Sequence, residues 1–194
     1  VIDSSPILFK YQMKELFQDG KWKLTISFML IGLFVGLNAA SFQTIENYFM
    51  NTLSRSILNA EARKNTIALI LTVANVGALS VYVFTGFLAD TFGRKPILCI
   101  FSFIFGVSVF GLVGAAEGQK ILLLYGMVFT AQMGYWGLFS LVKLYNAECF
   151  DSSVRGTAAG LRTIMFAVGI SGGSLIAGFI VSHFPEYVVY LLFA

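Results

Sequence analysis

Five long uncharged runs, divided by short clusters of polar and charged residues, set the pattern of this chain. A bilayer core about 30 Å thick is crossed by about 20 apolar residues in a helix, because buried backbone must satisfy its own hydrogen bonds. The pattern predicts spans at 24–45, 65–89, 96–116, 121–144 and 156–182, with a sixth that begins at 187 and is incomplete at 194. Together these form one membrane unit, 24–194. Residues 1–23 stand apart from it. There Leu8, Phe9, Tyr11, Met13, Leu16, Phe17 and Trp22 are interleaved with lysine and glutamate, the composition of an interfacial amphipathic helix, and Gly20 separates that helix from the first span.

Composition narrows the classes. With 57% of 194 residues hydrophobic and only 12% charged, the chain lacks the polar skin of a soluble domain. Val1 is not an initiator methionine and Ala194 falls within an apolar run, so the expectation is a piece of a longer protein. The net charge of +3 is spread over several short loops, which suits membrane orientation and excludes a nucleic-acid surface. Two cysteines, Cys99 and Cys149, cannot assemble a disulfide framework or a zinc ligand set, and no metal or cofactor is expected. The single His183 and the absence of a nucleophile, zincin or nucleotide-loop motif give no enzyme constellation.

Short connections force neighbouring spans to alternate in direction. Nine basic residues then fall on one side (Lys10, Lys14, Lys21, Lys23, Arg94, Lys95, Lys143, Arg155, Arg162) and four on the other (Arg55, Arg63, Lys64, Lys120), which predicts a cytoplasmic N-terminus. Glycine pairs at four-residue spacing, Gly32 with Gly36, Gly156 with Gly160 and Gly169 with Gly173, predict close helix crossings.

Two connections carry mechanism. The turn after the second span reads Gly86-Phe87-Leu88-Ala89-Asp90-Thr91-Phe92-Gly93-Arg94-Lys95-Pro96. It resembles the loop signature of the major facilitator superfamily at Gly86, Leu88, Ala89, Asp90, Gly93, Arg94 and Lys95, departing at Thr91, where a basic residue is usual. After the fourth span, Tyr145, Glu148, Phe150, Arg155 and Thr157 are similar to a second element of that superfamily, seen in sugar porters, metabolite:proton symporters and organic-ion transporters. Asp151 and Ser152 replace its usual Pro-Thr, so a side-chain cap from Asp or Ser is expected to close this turn.

The resemblance implies an all-α membrane protein, the C-terminal six-helix half of a twelve-helix major-facilitator fold with its last helix truncated. It implies as partners the lipid bilayer, a small-molecule substrate and the missing N-terminal six-helix half. Asp90, Arg94, Lys95, Glu148 and Arg155 become gating residues, with Glu148 expected to pair with Arg94 and Asp90 with Arg155 or the helix start near Gly156. The alternative is a loop whose cations only fix topology.

Polar groups inside a span are costly unless paired, so Asn38, Gln43, Gln132, Tyr135 and Trp136 are candidate substrate contacts, with core packing as their rival. Lys143 stands where sugar porters carry a ring-stacking tryptophan; pointing inward it favours an anionic substrate, and pointing to the headgroups it is silent. Glu46 is a candidate for a co-transported proton. The function expected is secondary transport of a sugar or organic acid or ion by alternating access, at the plasma membrane; the alternative is a transporter-like receptor or structural membrane protein that binds ligand without moving it.

Overall fold

The computed structural model describes residues 5–18, 20–53, 57, 59–185 and 187–193, and every regular element among them is a helix. In chain order these are α1 (Ser5–Phe17), α2 (Lys21–Thr52), α3 (Ala60–Phe92), α4 (Arg94–Glu117), α5 (Ile121–Cys149), α6 (Arg155–His183) and α7 (Tyr187–Phe193). Five of them, α2 to α6, are long and apolar enough to cross a membrane.

The helices overrun the apolar windows. The 33 residues of α3 extend about 50 Å at 1.5 Å per residue, against about 30 Å of hydrocarbon. Its early start has a local cause: the Asn59 side chain accepts from the amides of Glu61 (2.9 Å) and Ala62 (3.5 Å), capping donors that the helix leaves free. The two faces of α3 are apolar alike. Ile67, Ile70, Ala74, Ala78, Val81 and Ala89 are buried, while Val76, Leu79, Val83 and Phe87 stand exposed one turn apart. A helix with an apolar face on both sides belongs in lipid. Several hydroxyls in the spans are satisfied within their own helix, as when Thr85 donates to the Val81 carbonyl and Thr72 to Ala68.

The chain divides into two compact units. The first comprises residues 1–40 and 142–174. Its packing rests on a crossing of α2 and α6 without side chains between them: a Cβ at Gly36 would lie 3.0 Å from the Gly169 Cα and closer still to the Phe166 carbonyl oxygen. Gly32 faces Arg162, and Gly173 faces Leu37 and Ala40, in the same way. The third predicted pair behaves differently, since nothing approaches within 4 Å of a Cβ built at Gly156 or Gly160. At one end of this unit α1 is fastened by polar contacts. Gln12 donates to the Ser153 carbonyl (2.7 Å) and accepts from the Thr157 hydroxyl (2.7 Å), and the Thr25 hydroxyl donates to the Leu16 carbonyl (2.9 Å).

The second unit comprises residues 41–141 and 175–194. Here α5 packs through glycine onto aromatic neighbours: Gly134 onto the Phe105 backbone and Gly137 onto the Phe101 ring, both of α4, while Gly77 of α3 receives Phe129. Ser108 donates to Thr130 across the α4–α5 contact (2.8 Å). The α4–α5 turn is closed by Lys120 N–H on the Ala115 carbonyl and Gln119 N–H on Ala116, with Gln119 in the left-handed region at φ 54°. The Gln119 amide also donates to the Thr52 carbonyl (2.8 Å), tying the end of α2 to this turn. Ala177, Ile180 and Val189 form a small buried cluster that seats α7.

Candidate functional site

The end of α3 leaves carbonyls without amide partners, and the following turn satisfies them from two sources. Gly93, at φ 87° and ψ 155°, donates its N–H to the Ala89 carbonyl (3.1 Å). The Arg94 guanidinium reaches back to the same carbonyl (2.9 Å) and pairs with the Asp90 carboxylate at 2.8 Å. Lys95 is exposed at the start of α4, and Pro96 sits in the first turn, where a missing N–H breaks no helical bond. Thr91, at the position that departs from the superfamily signature, donates to the Phe87 carbonyl of its own helix.

The connection from α5 to α6 follows the same design in the first unit. Arg155 Nε donates to the Phe150 carbonyl at 3.3 Å, five residues back, as Arg94 does to Ala89. The turn closes through the Asp151 carbonyl, which accepts from Val154 N–H (3.1 Å) and Arg155 N–H (2.9 Å). The Asp151 carboxylate is engaged elsewhere, with Lys21 at 2.9 Å, and not in the side-chain cap expected from the sequence. That hydrogen bond and charge, assisted by Arg155, hold the Asp151 carboxyl below the usual carboxylate range. Lys21 also lies 3.6 Å from Glu15 of α1. Glu148 is exposed near the end of α5.

The substrate candidates separate into three groups. In the second unit, Tyr135 is 5% exposed and packs in an aromatic cluster with Phe42 (ring centroids 5.4 Å), Trp136 (5.3 Å), Phe105 (6.0 Å) and Phe139 (6.5 Å). In this unit its ring packs against Phe105 of α4 and Phe42 of α2. Trp136, half-buried, meets Tyr82 at 6.0 Å and Phe139 edge-on at 5.5 Å. Gln132, one turn before Trp136, has its Oε1 buried with no hydrogen-bond partner among the described residues. Gln132, Tyr135 and Trp136 are thus neighbours on α5.

In the first unit, Asn38 is half-buried and its amide donates to the Phe34 carbonyl a turn back (3.2 Å). Lys143 is exposed, and the positive charge of Arg162 acts on it. Arg162 is counted in the sequence among the basic residues of the cytoplasmic side, near the start of the 156–182 span. The structure buries it to 6% exposure in α6 behind Gly32. The available signal was its position at the edge of an apolar run, eight residues into the helix. The side chains of Gln43 and Glu46 lie outside the described residues.

Comparison with known proteins supplies the context for these groups. The family model described as the Major Facilitator Superfamily matches residues 24–194. The chain is 30% identical to a sialic acid transporter of Escherichia coli over 132 residues, covering 66% of this chain and 31% of the relative. It is 28% identical to an organic cation/carnitine transporter of Arabidopsis thaliana over 127 residues, 64% of this chain and 23% of the relative. It is 26% identical to a probable metabolite transport protein of Bacillus subtilis over 105 residues, 54% of this chain and 22% of the relative. The matched stretch thus spans less than a third of the length of each of these relatives.

Proposed function

The chain belongs to the major facilitator superfamily, and from that membership we propose that it is the C-terminal six-helix half of a secondary transporter that moves a small polar metabolite by alternating access, without covalent chemistry. It is an integral, multi-pass membrane protein. The relatives support the substrate class only broadly: one is named for sialic acid and one for organic cations and carnitine, all small and polar.

The observation that carries the reading is the buried Gln132 Oε1 beside Trp136. An amide oxygen buried with no donor among the described residues carries a penalty of about 1–3 kcal/mol, larger where the surroundings are apolar. A substrate hydroxyl or ammonium bound there removes that penalty. Trp136, four residues on, and Tyr82 against it offer an aromatic surface for a sugar ring or flat organic group. The substrate contacts proposed are therefore Gln132 and Trp136. Asp90, Arg94 and Lys95 in one loop, and Glu148 and Arg155 in the other, are the groups proposed to exchange partners as access alternates. The bias of basic residues supports a cytoplasmic N-terminus for this segment, and a plasma-membrane location is part of the same proposal. A co-transported proton belongs to the same proposal.

Uptake by the full-length protein in sealed proteoliposomes tests it, using labelled sugars, organic acids and organic cations with and without a pH gradient. Accumulation or exchange above empty vesicles, with KM raised about tenfold by Gln132→Leu for loss of one hydrogen bond, is the expected result. Saturable binding with neither accumulation nor exchange would make the protein a receptor. Transport with an unchanged KM in Gln132→Leu would remove Gln132 from the site.

A further inference from the structure

The helix α1 has two faces of different character. On one, Leu16 is fully buried and Gln12 is spent on Ser153 and Thr157. Glu15 turns toward Lys21. On the other, Lys10, Tyr11, Lys14, Phe17 and Gln18 are all exposed, Tyr11 to 71%. At 3.6 residues per turn these five occupy about a third of the helix circumference. They present two cations, two aromatic rings and an amide, with no acid among them.

Connectivity sets the level of α1 in the bilayer. It passes through the Gly20 turn, at φ 80°, directly into a span that begins at Lys21. Its inner face is bonded to the α5–α6 connection, where two other spans end. It therefore lies at the end of the helices, where headgroups are, and not in hydrocarbon. Trp22 follows, half in contact with solvent, with Lys23 Nζ 5.7 Å from its ring, a pairing suited to the membrane–water boundary.

We propose that the outer face of α1 formed by Lys10, Tyr11, Lys14 and Phe17 binds the anionic lipid headgroups of the leaflet on its side. The lysines meet phosphate, and the two rings enter the interface between headgroup and acyl chain. Because Gln12 on the opposite face is bonded to Ser153 and Thr157, lipid composition would act on the α5–α6 connection through α1. The inference rests on the helices being membrane spans and not on the transport reading.

The test uses the full-length protein in nanodiscs of phosphatidylcholine alone or with added phosphatidylglycerol, reading amide hydrogen exchange across α1. At about fivefold per lysine, exchange should slow by up to about thirtyfold in the anionic discs. At about 1 M salt, where screening acts within about 3 Å, the difference should vanish. Lys10→Gln with Lys14→Gln should abolish it, and Lys120→Gln, at the other end of α5, should leave it intact. Equal exchange in the two lipids overturns the proposal, as does a full difference retained by the double variant. Uniformly slow exchange in both lipids would mean that protein, not lipid, covers this face, and overturns it too.

Discussion

Replacing Gly36 by alanine tests the α2–α6 crossing directly. The added Cβ meets the Gly169 Cα at 3.0 Å and the Phe166 carbonyl oxygen more closely still, with backbone on both sides and no flexible side chain to give way. Carbon atoms pack best at about 3.5–4.0 Å, so the helices must part by about 0.5–1 Å along the contact. Overpacking of this kind costs about 1–3 kcal/mol, and the better helix propensity of alanine returns about 0.5–1 kcal/mol. Net destabilisation should fall between about 0 and 2.5 kcal/mol, toward the upper end because the contact is backbone on backbone. Gly160→Ala, in the same helix α6 but with nothing within 4 Å, should show only the propensity gain. Thermal unfolding of the solubilised full-length protein, followed by monodispersity on size exclusion, ranks the variants. The reasoning fails if Gly36→Ala melts at or above the parent, or if Gly160→Ala loses as much.

Three further outcomes follow from the geometry. Gly93→Ala forces a side chain into φ 87° and ψ 155°, a region nearly confined to glycine, and should cost about 1–3 kcal/mol in the same melting assay; an unchanged melting temperature would show that the turn relaxes freely. The Asp151 carboxyl, held low by Lys21, stabilises the link between the α5–α6 turn and the start of α2 fully above the ordinary aspartate pKa of about 3.9, and that support is lost as pH falls through its lowered folded value. A spin label on the α5–α6 turn should accordingly report an unchanged distance to the start of α2 from about pH 8 to pH 5, and a midpoint near pH 6 would assign the link to another group. Tyr135→Ala should destabilise by about 3–5 kcal/mol as a core deletion, whereas Trp136→Ala should act first on KM; the reverse order would return Tyr135 to the substrate surface.

Membrane spans were legible because lipid demands long runs of apolar residues, a signal that survives without knowing any contact. Element ends were less so. Asn59 starts α3 well ahead of its uncharged run, since capping and charged first turns are compatible with helix at the headgroup level. The three glycine pairs look alike in sequence, yet two of them sit in the α2–α6 crossing and Gly156 with Gly160 stays open. What separates them is the partner surface, which spacing does not encode. Tyr135 and Trp136 are adjacent residues of one aromatic type, and a rotation of 100° per residue is enough to give one to the core and leave the other half-buried. Arg162 was hidden for the opposite reason: a cation near the start of a span reads as one of the basic residues of the cytoplasmic side unless the fold folds it inward.

The two motif connections solve one physical problem with one arrangement. Each helix end leaves carbonyls exposed, and in each an arginine reaches back five residues to one of them, with an aspartate four residues before the arginine. In the α3–α4 turn that aspartate holds its own arginine at 2.8 Å. In the α5–α6 turn Asp151 is drawn to Lys21 instead, so Arg155 keeps a longer bond to Phe150 and only the field of Asp151. The residue that departs from the superfamily's usual proline is therefore the one that binds Lys21 at the start of α2. Substituting proline there would retain a closed turn and an Arg155 free to donate, but would remove the anion that Lys21 requires. The departure thus ties the turn before α6 to the start of the first span, and a change at either should be felt at the other.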